Sequence, residues 1–366
     1  MDKKFKKNIF KKTLIYSSIV AFWLVSCKTS DTIPELNIDF PAAFVVNGES
    51  NTISVIDLSN NEVVETINLA LNTNKNQVTT INNFWSHHIQ LSPDGKKVAI
   101  AAPEFDFTLG HDAAHQASSS NKAGGIIVVD VKTGKILNRI NVPQINYNAA
   151  FTKDGKEIWT ATSTHSGELK IYDAENGVLI KNFSLGADPT ELSFTQDGNF
   201  AFVALGESST VLSISTQKRE ISNYIKVDLF PTNVWTGADG MIYVENKNRP
   251  SVNIIDPSKM FTTEFIDTDF RPGNTALNKT QNELWICQAN DNKVAYFERI
   301  KNEWRIKGRI IVGDDAHAVM FTKDDKFAYV VNQRGNSVSV IDVERKQKIK
   351  DIQVGLKPNG IVMVNQ

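Results

Sequence analysis

A short run of β-branched and aliphatic residues closing on an acid or serine returns at a nearly fixed interval along the chain. It is first Thr52-Ile-Ser-Val-Ile-Asp57, and its later copies end at Asp130, Asp173, Ser215, Asp256, Glu298 and Asp342. Successive ends are 73, 43, 42, 41, 42 and 44 residues apart. Such a period constrains the fold strongly. A unit this small cannot bury an apolar face alone, so it must stack on its neighbours.

Each of the last six copies is preceded by a turn: Pro93-Asp-Gly95, Lys153-Asp-Gly155, Gln196-Asp-Gly198, Ala238-Asp-Gly240, Lys279-Thr-Gln281 and Lys323-Asp-Asp325. Asp-Gly between apolar runs signals a hairpin, because glycine accepts a positive φ. Every unit therefore reads as four short strands, A to D. In the third unit they cover 148–152, 157–162, 168–173 and 178–185. No helical period competes. The expected fold is all-β, a seven-bladed β-propeller with four-stranded blades.

The ends of the repeat indicate how the ring closes. The domain begins in mid-unit, at the B-like run Ala43-Phe-Val-Val-Asn47. The last segment, Gly355-Leu-Lys-Pro-Asn-Gly-Ile-Val362, matches the A-strand start Gly186-Ala-Asp-Pro-Thr-Glu-Leu-Ser193. The C-terminal residues should thus supply strand A of blade one beside N-terminal strands B to D, leaving no open sheet edge.

Tyr329-Val-Val-Asn332, Val338-Ser-Val-Ile-Asp342 and Ile352-Gln-Val-Gly355 resemble the YVTN-repeat β-propeller family, which includes YncE-like exported propellers. The resemblance covers about residues 42–366. It implies the fold, and binding or surface roles more often than catalysis, since propellers host many unrelated activities.

The first residues read as an address. Lysines 3, 4, 6, 7, 11 and 12 form a basic region, and residues 14–25 an apolar run too short for a settled membrane span. Leu24-Val25-Ser26-Cys27 resembles a bacterial lipobox, which implies that Cys27 becomes the acylated first mature residue. The expected organisation is a lipoprotein signal peptide over 1–26, a lipidated tether over 27–40 and the propeller over 41–366. Lys28 follows the cysteine where inner-membrane retention would place aspartate, so an outer-membrane anchor is expected, on either its periplasmic or its surface side. An outer-membrane transporter or another envelope protein is the expected kind of partner.

Charge excludes a further class. The whole chain carries 40 basic and 41 acidic residues, but 1–26 hold six of the lysines and one aspartate. The remainder has 34 basic and 40 acidic residues, a net charge of −6. That disfavours phosphate contacts, so no nucleic-acid partner is expected. Two cysteines are too few for a disulfide framework or a zinc-cysteine cluster. Cys287, in Leu284-Trp-Ile-Cys287, reads as a buried strand residue.

All six histidines fall on one face of the expected ring. His87 and His88 begin strand A of blade two, and His317 begins strand A of blade seven. His111 and His115 lie in the B–C connection of blade two, and His165 in that of blade three. Two insertions, about 71–85 and 103–123, account for the long first interval and fall on the same face. Imidazole is the commonest neutral-pH metal ligand. His87, His88, His111, Asp112, His115, His165 and His317 thus offer three or four ligands for a transition metal, Zn or Cu. They equally suit loop hydrogen bonds, a polar pocket or a catalytic site. Asn148, Glu191 and Asn233 share one strand-A position in blades three, four and five, where they suit ties to inner-strand backbone; propeller lactonases place such groups near the axis around a divalent ion or substrate. Arg271 and Arg334 fall on the same face and suit either a solvated rim or an anionic ligand. No nucleophile elbow, Gly-rich phosphate loop or haem-attachment motif is present. The expected function is a membrane-anchored protein that binds a small ligand, a metal or a partner on this face. The alternative is an exported enzyme of lactonase or quinoprotein-like type.

Overall fold

The computed structural model describes residues 36–74, 77–80, 84–109, 122–186 and 188–365. Seven four-stranded antiparallel sheets form the seven blades expected from the repeat. In blade three the strands are Ala150–Phe151, Glu157–Ala161, Gly167–Asp173 and Leu179–Gly186. In blades two to seven the innermost strand ends in the turn read from sequence. In four of these turns an aspartate two residues beyond a Ser or Thr accepts that hydroxyl, as in Ser92 to Asp94 at 2.7 Å and Thr322 to Asp324 at 2.8 Å. Gly95, Gly155, Gly198 and Gly240 supply the positive φ that the turns need.

The core is divided among the seams between blades. One buried cluster joins Trp159 and Ile171 of blade three to Leu192 and Val203 of blade four. Another joins Trp285 and Val294 of blade six to Val319 and Val330 of blade seven. Aromatic pairs lie across these seams, Trp159 against Phe194 at 5.3 Å and Trp285 against Phe321 at 5.2 Å. The strands alternate because one side chain in two faces each neighbouring blade.

Ring closure follows the sequence reading. Strand Pro358–Val364 pairs antiparallel with Ala42–Asn47, and blade one has the order D-C-B-A with its A strand from the far end of the chain. Ile361 and Tyr329 share the cluster that seals blade one to blade seven.

Two stretches differ from expectation. The last residues read as tether pack on the ring. Ile38 is 2% exposed within the blade one–two core, its N–H donates to the Lys132 carbonyl at 2.7 Å, and Leu36 and Phe40 pack beside it. The three apolar side chains at alternate positions explain this, since each has a core face to cover. The insertion after blade one contains a two-stranded hairpin, Leu71–Asn74 with Gln77–Thr80. Arg139 ties its base by donating to the Leu69 carbonyl and, at 3.2 Å, to that of Leu71. Cys27, His111, Asp112 and His115 lie outside the described residues.

Candidate functional site

Counting back six residues from each turn aspartate, or from Thr280 in blade six, gives one residue per innermost strand: His88, Asn148, Glu191, Asn233, Asn274 and Ala318. Blade one contributes Gly360 through its Pro358 match. One residue earlier stand His87, Tyr147, Thr190, Thr232, Gly273, His317 and Asn359. These two tiers surround a central cavity of about 810 Å³. It runs from a mouth lined by His88, Glu191, Arg271 and His317 down to turn residues Lys279 and Asp325.

His87, His88 and His317 form a group whose ligand nitrogens all lie within 4.8 Å of one another. Two successive strand residues ordinarily point to opposite faces. Here the backbone prevents that. His88 has φ 50°, in the left-handed region, and the pairing register slips between His87 and Gln90. The two rings therefore stack, with centroids 4.1 Å apart and planes 17° from parallel. In four other blades the positive φ falls three residues earlier, at Asp188, Phe230, Asp315 and Lys357. Blade two has moved this kink onto a histidine. Asn359 stabilises the turned backbone by accepting the His88 N–H at 3.0 Å.

The outer nitrogens are already engaged. His87 Nδ1 meets the Tyr147 carbonyl at 2.7 Å, and since a carbonyl only accepts, this nitrogen carries the proton. His88 Nδ1 lies 3.1 Å from Glu191 Oε1. Both contacts leave Nε2 as the lone-pair nitrogen, the arrangement by which outer partners orient metal-ligating histidines. Burial, then the neighbouring His88 charge, pushes the His87 imidazole well below its usual range. Burial and His88 lower His317 to about 3. Both are neutral at physiological pH, the form that binds metal.

An aromatic wall covers the group. Tyr147 lies edge-on to His87 at 4.5 Å, Phe107 is 4.9 Å from both, and Phe105 braces Phe107 at 5.2 Å. Burial raises the Tyr147 phenol, keeping it protonated. Sequence reasoning missed Tyr147 and Phe107. Aligning Tyr147 with His87 and His317 across the units would have found the first.

The remaining candidates separate. His165 is not in the group; it is exposed, with Nδ1 2.9 Å from Glu207 Oε2. Asn148 is fully buried, donating to the Leu192 carbonyl at 2.9 Å and accepting the Leu192 N–H at 3.4 Å, so it joins blades three and four rather than facing a ligand. Glu191, Asn233 and Arg271 line the cavity. Glu191 Oε2 is buried with no hydrogen-bond partner. Arg334 is not on the cavity wall; it is exposed and pairs with Asp314 at 3.3 Å and Asp315 at 3.8 Å. Its strand-end position put it at the rim, where nearby aspartates capture it. Cys287 is fully buried, as expected.

No protein-family profile matches the chain. Its sequence is similar to an uncharacterized protein, YncE, of Salmonella typhimurium, 26% identical over 144 residues, which is 39% of each chain. The YncE of Salmonella typhi matches equally, at 26% over the same share. The chain thus aligns with about 39% of the length of the curated relatives it matches, in keeping with a YncE-like propeller. Among solved structures, the periplasmic gluconolactonase PpgL of Pseudomonas aeruginosa superposes with TM-score 0.67 at 14% identity, covering 88% of this chain and 99% of that one. Hydrazine synthase of Kuenenia stuttgartiensis gives 0.64 at 16%, over 79% and 92%. A functionally unknown protein of Desulfotomaculum acetoxidans gives 0.69 at 12%, over 88% and 98%. At these identities the likeness concerns the fold alone.

Proposed function

We propose that this chain is a binding propeller of the cell envelope whose channel mouth holds a transition-metal ion, Zn or Cu, on His87, His88 and His317, and offers it to a small ligand below. One observation carries the reading. Three imidazoles from blades two and seven converge, and two have Nδ1 fixed by Tyr147 and Glu191 so that Nε2 remains for a metal. Three histidines leave at least one position of a tetrahedral ion open to a ligand. The test is calorimetric titration of the purified protein with Zn²⁺ and Cu²⁺. The wild type should bind one ion at micromolar level or better, and His87→Ala and His317→Ala should each weaken it at least about tenfold. Glu191→Ala, which removes an orienting partner only, should cost about 10- to 100-fold. Undiminished binding by a triple alanine variant would sink the reading.

The amino-terminal lipobox resemblance supports anchoring through Cys27 to the outer membrane, which would make an envelope transporter a fitting partner. Cys27→Ser should move the protein out of the membrane fraction. A second reading, hydrolysis of a lactone in the channel, is supported by the fold likeness to a gluconolactonase. The unbonded Glu191 Oε2 on the cavity wall also favours it. Metal-dependent turnover of a lactone panel, lost in Glu191→Gln, would favour it over simple capture.

A further inference from the structure

The chain has nine arginines, and all are described. Eight make hydrogen bonds or ion pairs: Arg139 to backbone carbonyls, and Arg219, Arg249, Arg299, Arg305, Arg309, Arg334 and Arg345 to carboxylates. Arg271 alone makes none among the described residues, and it lines the cavity at the mouth. Its charge nevertheless acts across that mouth, on Tyr147 of blade three as well as on neighbouring Asp315. A guanidinium that reaches inward while every other arginine has an acceptor is a donor fork awaiting one. Below it the Asn233 amide also faces the cavity with no hydrogen bond among the described residues.

Charge decides when an anion enters. The cavity lining sets Asp188, Glu191, Asp315 and Asp325 against Lys247, Arg271, Lys279 and Lys323, so its formal charges balance. A divalent ion on the imidazoles tips that balance towards an anion.

We infer that the ligand of this site is a small organic dianion, held at one end by the histidine-bound metal and at the other, through a carboxylate, by Arg271. This rests on the metal reading proposed above. Planar carboxylate and guanidinium form two parallel hydrogen bonds, a match that a lysine cannot reproduce. Because metal and anion each improve the site for the other, their affinities are coupled reciprocally. Metal alone does not need Arg271, which faces the ligand and not the ion.

The test is Zn²⁺ titration of the full-length protein, alone and with malonate, succinate, glutarate or adipate, weak chelators that serve as rulers of the gap. One chain length should raise zinc affinity about 10- to 100-fold, the range for a charged hydrogen-bonded pair, while acetate has little effect. In Arg271→Ala, zinc affinity without a dicarboxylate should be no weaker than in the wild type, since a nearby positive charge is removed, and the enhancement should vanish. Enhancement that survives in Arg271→Ala overturns the inference. So does zinc binding that no dicarboxylate improves; in both cases the metal reading stands. A wild type that binds no zinc overturns both.

Discussion

Glu245 occupies a position that six other blades give to Val46, Ala101, Ala161, Ala204, Cys287 and Val331, all fully buried. It too is fully buried. Its Oε1 accepts the Trp235 indole N–H at 2.8 Å, and Trp235 lines the cavity. Burial pushes this carboxyl up to about 8, with the Glu191 charge adding to the shift and hydrogen bonds from Thr275 and Trp235 opposing it. The sign for stability follows. Between the ordinary value of 4.5 and about 8 the unfolded chain loses the proton and the folded chain keeps it, so stability falls as pH rises through that window. Glu245→Gln keeps the shape and removes the titration. Its unfolding free energy should be flatter with pH and exceed the wild type at pH 8 by on the order of 3 kcal/mol. Superimposable stability curves for the two proteins from pH 5 to 8 would show that Glu245 is solvated. His88 carries a different cost. A non-glycine residue at φ 50° is strained by about 1–2 kcal/mol, a cost offset here by Asn359 and by stacking on His87.

Among elements, the connection inside blade two behaves least like the loop its composition suggests. Its polar and aromatic residues read as an insertion between strands B and C. The segment that leaves the second strand is instead built in. Phe105 is 5% exposed and packs on fully buried Ile145, and buried Asp106 accepts the Lys357 ammonium at 2.9 Å, joining blade two to blade one. Phe107 then reaches His87. Phe105→Ala should therefore cost about 3–5 kcal/mol, the usual range for an emptied aromatic site, and should weaken metal binding by releasing Phe107. Thermal unfolding and zinc titration of the same variant read both effects. Unchanged stability would mean that Phe105 rests on the surface. The three apolar residues 36, 38 and 40 teach the same lesson in a stretch read as tether: alternation at two-residue spacing signalled a packed strand-like segment within polar surroundings.

The whole molecule depends on one seam. Pro358–Val364 is the innermost strand of blade one, and Ile361, Val362 and Val364 are at most 7% exposed. Each such side chain contributes roughly 1.5–3 kcal/mol by burial, and a domain's net stability is only about 5–15 kcal/mol. Deleting residues 358–366 also bares the ladder edge of Ala42–Asn47. The truncated chain should lose cooperative melting and aggregate, as followed by scanning calorimetry and light scattering. A melting temperature within a few degrees of the wild type would require another closure.

The repeat interval, the turn residues and the split first unit were enough to determine blade number, strand order and closure. These depend on local chemistry, hydrophobic alternation and glycine turns, that is written out seven times. The histidines could be assigned to one face from the same periodicity. Which of them meet could not be. His87, His88 and His317 converge because a positive φ at one residue turns a side chain to the wrong side of its strand, and because ring closure sets blades seven and two on either side of blade one. His165, in the B–C connection of blade three, pairs with Glu207 instead. Asn148 and Glu191 share one position in the repeat, yet one joins backbones and the other faces the cavity. A repeat assigns position along a strand. Partners across the channel are set by distances between residues far apart in sequence, and only the closed ring fixes those.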